Sequence, residues 1–299
     1  MSETGELLVP ESFAIPSFTR ILLATDFSAS SAASATFAAL LARYYRAFLV
    51  VVHVISVAPH ADGVTQQEPE IDNSQEVAEA QLRDFVSGTP LSECTHETVV
   101  GQGPVWDVLA AMIEEKHIDL IVVGTRGRSL VGKLLMGSVA QRIFSLAPCP
   151  VLSVSPRSHR TLGADRGLSR ILYATDFSSA SLKALPYALS LAQVSHARLV
   201  LLHAPDPSEA NSNEIVMGYH QHLSALIPPQ HRNRCESDTL VTVGEPSRAI
   251  LDAAAENSAD LIILGAHAYE GLLSHFQVPI SIAYRVVALA PCPVLRVRS

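Results

Sequence analysis

The sequence predicts an α/β protein built from two doubly wound domains in tandem, each with a five-stranded parallel sheet. The chain has 299 residues, about twice the roughly 150 residues that are usual for one domain. Four segments of the first half return, in the same order, in the second half. Short apolar runs alternate with helical patterns, which is typical of a parallel sheet covered by helices on both faces.

The repeated segments indicate a tandem duplication. They are "RILLATDFS" at 20–28 and "RILYATDFS" at 170–178, "LVVVHV" at 49–54 and "LVLLHA" at 199–204, "DLIVVG" at 119–124 and "DLIILG" at 260–265, and "LAPCPVLSV" at 146–154 and "LAPCPVLRV" at 289–297. The polar stretch between the copies contains Pro and Gly and has the composition of a linker. We therefore place the first domain at 18–155, the linker at 156–168 and the second domain at 169–299.

Each element of the first half is predicted from a local pattern. Ser28 can cap an alanine-rich helix, and Pro104 stands at a favoured helix start. Continuous apolar runs predict buried strands. The predicted order is strand Ile21–Ala24, a helix from Ser28 to Tyr45, strand Phe48–Val54, helix Gln75–Val86, strand Glu97–Val100, helix Pro104–His117, strand Leu120–Val123, helix Ser138–Leu146 and strand Pro150–Val154.

Composition excludes several functional classes. The formal net charge of −8 argues against a broad nucleic-acid-binding face. No apolar run reaches the ~18 residues of a membrane span, and the acidic N-terminus does not have the pattern of a signal peptide. The four cysteines are scattered, so no zinc site is predicted, and we expect a reducing cytoplasm.

The stretch "GTRGRSLVGKLLMGS" at 124–138 follows an apolar strand and could hold phosphate. The glycines and serine of interest in it are Gly124, Gly127, Gly137 and Ser138, and its cations are Arg126, Arg128 and Lys133. Glycine lets a ligand approach the main chain, and the free amides at a helix start favour an anion. The spacing matches neither a Walker A loop nor the G-x-G-x-x-G fingerprint. On these residues alone, an ordinary strand-to-helix loop and a nucleotide site both stay open.

Five segments together resemble the signatures of the universal stress protein family, as two UspA-type domains in tandem. They are "ILLATDFS", "VVHV", "DLIVVGTRG", "MGSVAQRI" and "APCPVLSV". The resemblance implies an adenine nucleotide alpha hydrolase-like fold with strand order 3-2-1-4-5, which brings "ATDFS" beside "GTRG". The ATP-binding branch of the family carries G-2x-G-9x-G-[S/T], and the glycines and serine of 124–138 match this pattern.

The resemblance implies an ATP site in the first half. The residues implied are Ala24, Thr25 and Asp26 at the adenosine end, Val54 beside adenine, Gly124, Arg126 and Gly127 along the ribose and phosphates, and Gly137, Ser138 and Val139 at the phosphate end. Asp26 could bind a ribose hydroxyl or reach a metal through water, or it could form an Asx-type turn or helix cap. One departure is "GQGP" at 101–104, an apparent one-residue insertion in the family's G-x-P.

The corresponding loop of the second half, "GAHAYEGLLSHFQVPIS" at 265–281, departs from the pattern. In the alignment Gly265 is kept, Ala268 replaces Gly127, Ile280 replaces Gly137 and Ser281 matches Ser138. The only formal charge is Glu270, so the loop has lost its positive balance. We expect this half not to bind the phosphates of ATP, although Asp176 is retained.

The predicted function is an ATP-binding, nucleotide-gated regulatory module in a stress response. ADP or AMP could be the bound nucleotide instead of ATP, and Mg²⁺ could bind with it. No catalytic set is found. Alternatives are a slow ATPase or self-phosphorylating enzyme, with Ser138 as acceptor, and a nucleotide-free scaffold for protein partners. The resemblance also implies that the last strands, Val151–Val154 and Val294–Val297, pair within the chain. A further dimer of chains stays open.

Overall fold

The fold was analysed in a computed structural model, which describes residues 14–55, 74–126, 136–156, 158, 167–266 and 281–298. Several predictions concern residues outside these ranges. They are Gly127, Arg128, Lys133, Ala268, Glu270, Ile280 and most of the predicted linker.

The first half alternates strands and helices as predicted. Its elements are β1 (Arg20–Ala24), α1 (Ala29–Tyr45), β2 (Phe48–Ile55), α2 (Ser74–Ser87), a 3₁₀ turn (Pro90–Glu93), β3 (His96–Gln102), α3 (Val105–Glu115), β4 (Leu120–Gly124), α4 (Ser138–Leu146) and β5 (Val151–Val154). The hydroxyl of Ser28 accepts from the Ser31 amide and caps α1, as expected. β3 is longer than predicted because its polar residues lie on an outer strand, where apolar continuity is not required.

The second half repeats this order. Its elements are β6 (Arg170–Ala174), α5 (Ser179–Leu182), α6 (Leu185–Ser195), β7 (Arg198–His203), α7 (Asn213–Ala225), α8 (Pro229–Arg232), β8 (Ser237–Val241), α9 (Pro246–Glu256), β9 (Leu261–Ala266), α10 (Ile282–Leu289) and β10 (Val294–Arg298). The counterpart of α1 is divided into α5 and α6. Pro186, in the first turn of α6, explains the division because proline has no amide hydrogen to continue a helix.

All ten strands form one sheet, in the order β3-β2-β1-β4-β5-β10-β9-β6-β7-β8. Within each half the order is 3-2-1-4-5 and every pairing is parallel, which confirms the predicted fold class. In a doubly wound sheet the strand order reverses beside the first strand, and ligands bind at the carboxyl ends there. In this chain that point lies between β1 and β4 in the first half and between β6 and β9 in the second.

The two halves meet where β5 pairs antiparallel with β10. Leu152 lies opposite Leu295, Ser153 opposite Val294, and Val151 opposite Arg296. The pairing of the last strands implied by the resemblance is therefore present within the chain. We call this β5–β10 pairing the seam.

The core forms two layers, one on each side of the sheet. Side chains alternate between them along each strand, so Ile21 and Leu23 face the layer under α1 and α6, whereas Leu22 faces the layer under α3, α4, α9 and α10. All three side chains are fully buried, as expected for strands covered on both sides. Among the described helices, none is long and apolar enough to cross a membrane.

A glycine-to-alanine pair tests the packing of the second half. A Cβ at Gly265 would overlap the carbonyl oxygen of Ala180 in α5, whereas a Cβ at Gly218, inside α7, meets no atom within 4 Å. We expect Gly265→Ala to lower the free energy of unfolding by ~1–3 kcal/mol through overpacking. Gly218→Ala should raise it by ~0.5–1 kcal/mol through helix propensity. Urea unfolding of both variants measures this, and equal effects would contradict the packing described.

Candidate functional site

A tight turn follows β1 and carries the "TDFS" residues. Phe27 adopts a left-handed backbone (φ 61°), and its amide donates to the hydroxyl of Thr25 at 3.0 Å. The Oδ1 atom of Asp26 accepts from the Ser28 amide at 3.1 Å and from the Ser31 hydroxyl at 2.7 Å. The first of these bonds is an Asx-type turn, one of the two roles left open for Asp26. The turn holds the carboxylate in one place.

A histidine on β2 braces this turn. The Nδ1 atom of His53 lies 2.9 Å from the carbonyl oxygen of Thr25, and its ring packs on Phe27 with 4.4 Å between centroids. The second half repeats the arrangement with His203, Thr175 and Phe177, at 2.9 Å and 4.6 Å. Burial lowers the pKa of His203, so this ring stays neutral. These histidines are strand-end residues that hold the left-handed turn, a role that their repetition in both halves could have signalled.

Three segments converge at the carboxyl ends of β1 and β4. The Ser28 hydroxyl donates to the carbonyl oxygen of Arg126 at 3.3 Å, which joins the turn after β1 to the segment after β4. The Gly137 amide donates to the carbonyl oxygen of Thr125 at 2.9 Å, which joins the start of α4 to the same segment. Specific hydrogen bonds therefore join these three segments at the edge where the strand order predicts a cleft. The bridging role of Ser28 was not foreseen.

The other predicted residues are distributed along this edge. Ala24 ends β1 between Val52 of β2 and Val123 of β4. Val54 lies on β2 beside Gly101 of β3, farther along the edge. Ser138 and Val139 are the first two residues of α4, and Gly127 lies outside the described residues. The described predicted residues thus occupy the carboxyl ends of β1, β2 and β4 and the start of α4.

Gly124 has a packing role in addition to the ligand role predicted for it. A Cβ there would lie 2.9 Å from the Cβ of Ser30 and 3.1 Å from its carbonyl carbon. The helix α1 therefore needs a glycine at this position in order to approach β4. Gly265 meets α5 in the same way. This explains why the first glycine persists in the altered loop, a clue that was present in the sequence.

The start of α4 is not capped by a side chain. Gly137 is the cap residue, with extended angles (φ −63°, ψ 152°), and it has no side chain to offer. Among the described residues, none accepts a hydrogen bond from the amides of Ser138, Val139 or Ala140. A helix start of this kind attracts an anion because its amides and dipole present positive charge.

The start of α3 lies at the same edge and is also uncapped by a side chain. Strand register aligns Gly103 with Gly244. Both glycines adopt positive φ (123° and 147°), and their amides donate to the corresponding carbonyl oxygens of Ile55 and Pro205. Pro104 therefore corresponds to Glu245 and takes the cap position without a side-chain hydrogen bond. The prediction of an inserted residue in "GQGP" is therefore wrong. No residue is inserted relative to the second half, and the proline stands one position earlier than Pro246 does there.

In the second half, side chains cap both corresponding helices. Glu245 accepts from the Ser247 and Arg248 amides of α9, and its carboxylate lies 3.3 Å from Arg285 of α10. A hydrogen bond from the Ser247 hydroxyl lowers the pKa of Glu245. Ser281 caps α10 by accepting from the Tyr284 amide at 3.2 Å. Side chains thus already accept from the amides of Ser247, Arg248 and Tyr284 at these two helix starts, and a carboxylate stands at the start of α9.

The role of Ser281 differs from the one that the alignment gave it. Its backbone (φ −61°, ψ 153°) reproduces that of Gly137, whereas Ser138 is already helical. The shift of one residue arises because α10 starts one position later than α4, while both helices end at matching leucines. A sequence alignment cannot detect such a change of cap.

A small cavity remains at the switch point of the second half. Its volume is about 130 Å³, and its described lining includes Thr175, Asp176, Pro246, Gly265 and Ile282. Ligand pockets for whole small molecules usually measure ~300–1,000 Å³. The cavity bounded by these described residues is therefore smaller than most such pockets.

Serine substitutions test the difference between the two helix starts. We expect Ser281→Ala to lower the free energy of unfolding by ~1 kcal/mol, because it removes the cap of α10. The matched variant Ser138→Ala should change it by less than ~0.5 kcal/mol, since Ser138 caps nothing. Urea unfolding measures both changes. A loss at Ser138 equal to that at Ser281 would contradict the cap assignment.

Comparisons with known proteins agree on one family. The model of the universal stress protein family matches residues 17–155 and 167–298. A universal stress protein of Thermus aquaticus is 37% identical over 138 residues, which are 46% of this chain and 98% of that protein. A homologue of universal stress protein A from Coxiella burnetii is 35% identical over 144 residues, covering 46% of this chain and 96% of its own.

A solved structure matches both halves at once. The universal stress protein of Archaeoglobus fulgidus DSM 4304 covers 93% of this chain and 98% of its own length, with a TM-score of 0.68 and 21% identity. At that identity the likeness establishes the fold. With the family model matched twice over nearly the whole length, this chain belongs to the universal stress protein family, as a tandem of two such domains.

Proposed function

We infer that the first half binds ATP at the carboxyl ends of β1 and β4, and that the protein acts as a nucleotide-gated regulatory module in a stress response. One observation carries the proposal. The two helices that begin at this edge, α3 and α4, have no side-chain cap in the first half, whereas Glu245 and Ser281 cap their counterparts in the second. Only in the first half, therefore, are both of these helix starts without a side-chain acceptor that would compete with phosphate oxygens.

The electrostatics of the α4 start favour a phosphate chain. The amides of Ser138 and Val139 lie in the first turn, where the helix dipole adds positive potential. Glycine at the cap lets a phosphate approach the main chain without a Cβ in between. The side chain of Arg126 adds a cation on the segment that Gly137 and Ser28 tie down. In this proposal Ser138 contributes a hydroxyl donor.

The adenosine end is proposed at the turn after β1. Ser28 and Ser31 hold the carboxylate of Asp26, which fixes it for a ribose hydroxyl. Ala24, Thr25 and Val54 supply main chain along the same edge. No group of three metal-ligating side chains occurs among the described residues, so Mg²⁺ would be bound chiefly through the phosphates.

Nucleotide occupancy would control a surface beside the site. Bound phosphate would occupy the start of α4, and a protein partner would distinguish the occupied from the empty state. The cytoplasm is the proposed compartment, since all four cysteines are free thiols. A dimer of chains and the identity of the partner are further parts of this proposal.

Titration calorimetry with ATP and Mg²⁺ tests the assignment. We expect one nucleotide per chain and a loss of at least about tenfold in affinity for Gly137→Ile. The backbone at Gly137 is extended, so isoleucine can adopt it, and the side chain would stand where phosphate approaches. Native mass spectrometry of the freshly purified protein should show a bound adenine nucleotide.

The matched control is Ser281→Ile, which places the same side chain at the corresponding helix start. Its ATP affinity should equal that of the unaltered protein. Two nucleotides per chain, or a loss of affinity in Ser281→Ile alone, would overturn the assignment to the first half. A chain that binds no nucleotide would favour the scaffold alternative, and steady turnover of labelled ATP would favour the ATPase.

A further inference from the structure

Two arginines of β10 reach across the seam to the carboxyl end of α4. The Nη1 atom of Arg298 donates to the carbonyl oxygens of Leu146 and Ala147 at 3.0 and 3.3 Å. The Nη2 atom of Arg296 donates to Ala147 at 3.2 Å. Leu146 ends α4 and Ala147 is its C-cap. The second half therefore places two cations on the helix whose other end is the proposed phosphate site.

The reciprocal contact is much weaker. Ser153 of β5 corresponds to Arg296, and Ser155, directly after β5, corresponds to Arg298. The Ser155 hydroxyl lies 3.5 Å from the carbonyl oxygen of Ala290, the C-cap of α10, and the buried Ser153 hydroxyl has no hydrogen-bond partner in the described structure. The two helices at the seam thus have different contacts. Charged side chains meet the end of α4, which belongs to the half with the proposed nucleotide site, whereas a serine hydroxyl meets the end of α10.

Stability does not explain the choice of arginine at position 296. The residue is 2% exposed, its Nε atom has no hydrogen-bond partner among the described residues, and its guanidinium lies 5.0 Å from the Phe144 ring centroid. Burial lowers the pKa of Arg296 to about 10. A well-packed apolar side chain is usually as stabilising as a buried charge, or more so. The buried charge is thus weak evidence for a purely stabilising role.

A different consequence of the two arginines follows from the shape of α4. The helix has nine residues, so its ends lie only ~13 Å apart. Cations at its carboxyl end interact favourably with the helix dipole, and hydrogen bonds to the last carbonyls fix the direction of the axis. The position of the free amides at the other end depends on that axis.

We propose that Arg296 and Arg298 are positioning residues for the nucleotide site, supplied by the second half to the first through α4. This inference rests on the proposed function. It gives the degenerate half a specific role, which is to hold the helix that receives the phosphates. Neither arginine contacts the ligand in this arrangement.

The test compares ATP with adenosine in the full chain. In Arg296→Met/Arg298→Ala, we expect ATP affinity to fall about three- to tenfold, since two cations are lost from the helix end. Adenosine affinity should stay unchanged, because adenosine has no phosphate to meet α4. Methionine fills the space of Arg296, so the fold should be kept, which urea unfolding verifies. Calorimetry gives both affinities.

Two controls accompany this variant. Ser155→Ala removes the reciprocal contact at α10 and should leave ATP affinity unchanged. Arg298→Lys keeps a cation at the helix end and should bind ATP within about twofold of the unaltered protein. Without nucleotide, hydrogen exchange of the α4 amides should be faster in the double variant than in the unaltered protein.

The outcomes separate this inference from the proposed function. If the unaltered chain binds ATP and the double variant binds it equally well, or if α4 exchanges at an unchanged rate, the positioning role is wrong. Equal losses for ATP and adenosine would indicate a general structural effect and would also overturn it. If the unaltered chain binds no ATP, the proposed function itself fails, and this inference with it.

Discussion

The antiparallel pairing of β5 with β10 is the constraint on which the whole arrangement depends. It joins two parallel five-stranded sheets into one sheet of ten, with both core layers continuous across the seam. Because the strands of the two halves run in opposite directions, their carboxyl ends lie at opposite edges of the sheet. The switch points of the two halves therefore share no cleft. Besides the seam, the halves meet between α1 and α6, where the Tyr45 hydroxyl lies 2.8 Å from the Ser190 hydroxyl.

Helix starts, rather than strands, distinguish the two halves. The turns after β1 and β6 are almost identical, each with a left-handed phenylalanine braced by a histidine. The divergence is concentrated in Pro104 against Glu245 and Gly137 against Ser281. Each exchange replaces a residue without a capping side chain by one that caps its own helix. A half whose side chains cap its own helices is locally more stable and presents fewer unpaired amides to an anion.

The repeats and the alternation of apolar runs were sufficient to predict the fold, because they record burial directly. The site was predicted less completely. The segments that the sequence predicted to converge do lie at one edge. The packing role of Gly124, however, depends on how closely α1 approaches, and the cap at Ser281 depends on a one-residue shift of a helix start. Pro186 could equally begin a helix or divide one. Such outcomes depend on backbone geometry, which residue patterns do not contain.

The seam also bears on why the second half, for which we propose no nucleotide site, would be retained. Its β10 and α10 are part of the shared core, since Leu295 and Val286 are fully buried in the two layers. The second half supplies the first with a strand that pairs with β5 and with hydrogen-bond donors at the end of α4. Tandem fusion keeps that edge permanently beside β5. It also allows Arg296 and Ser153 to differ, which two identical subunits related by symmetry could not do.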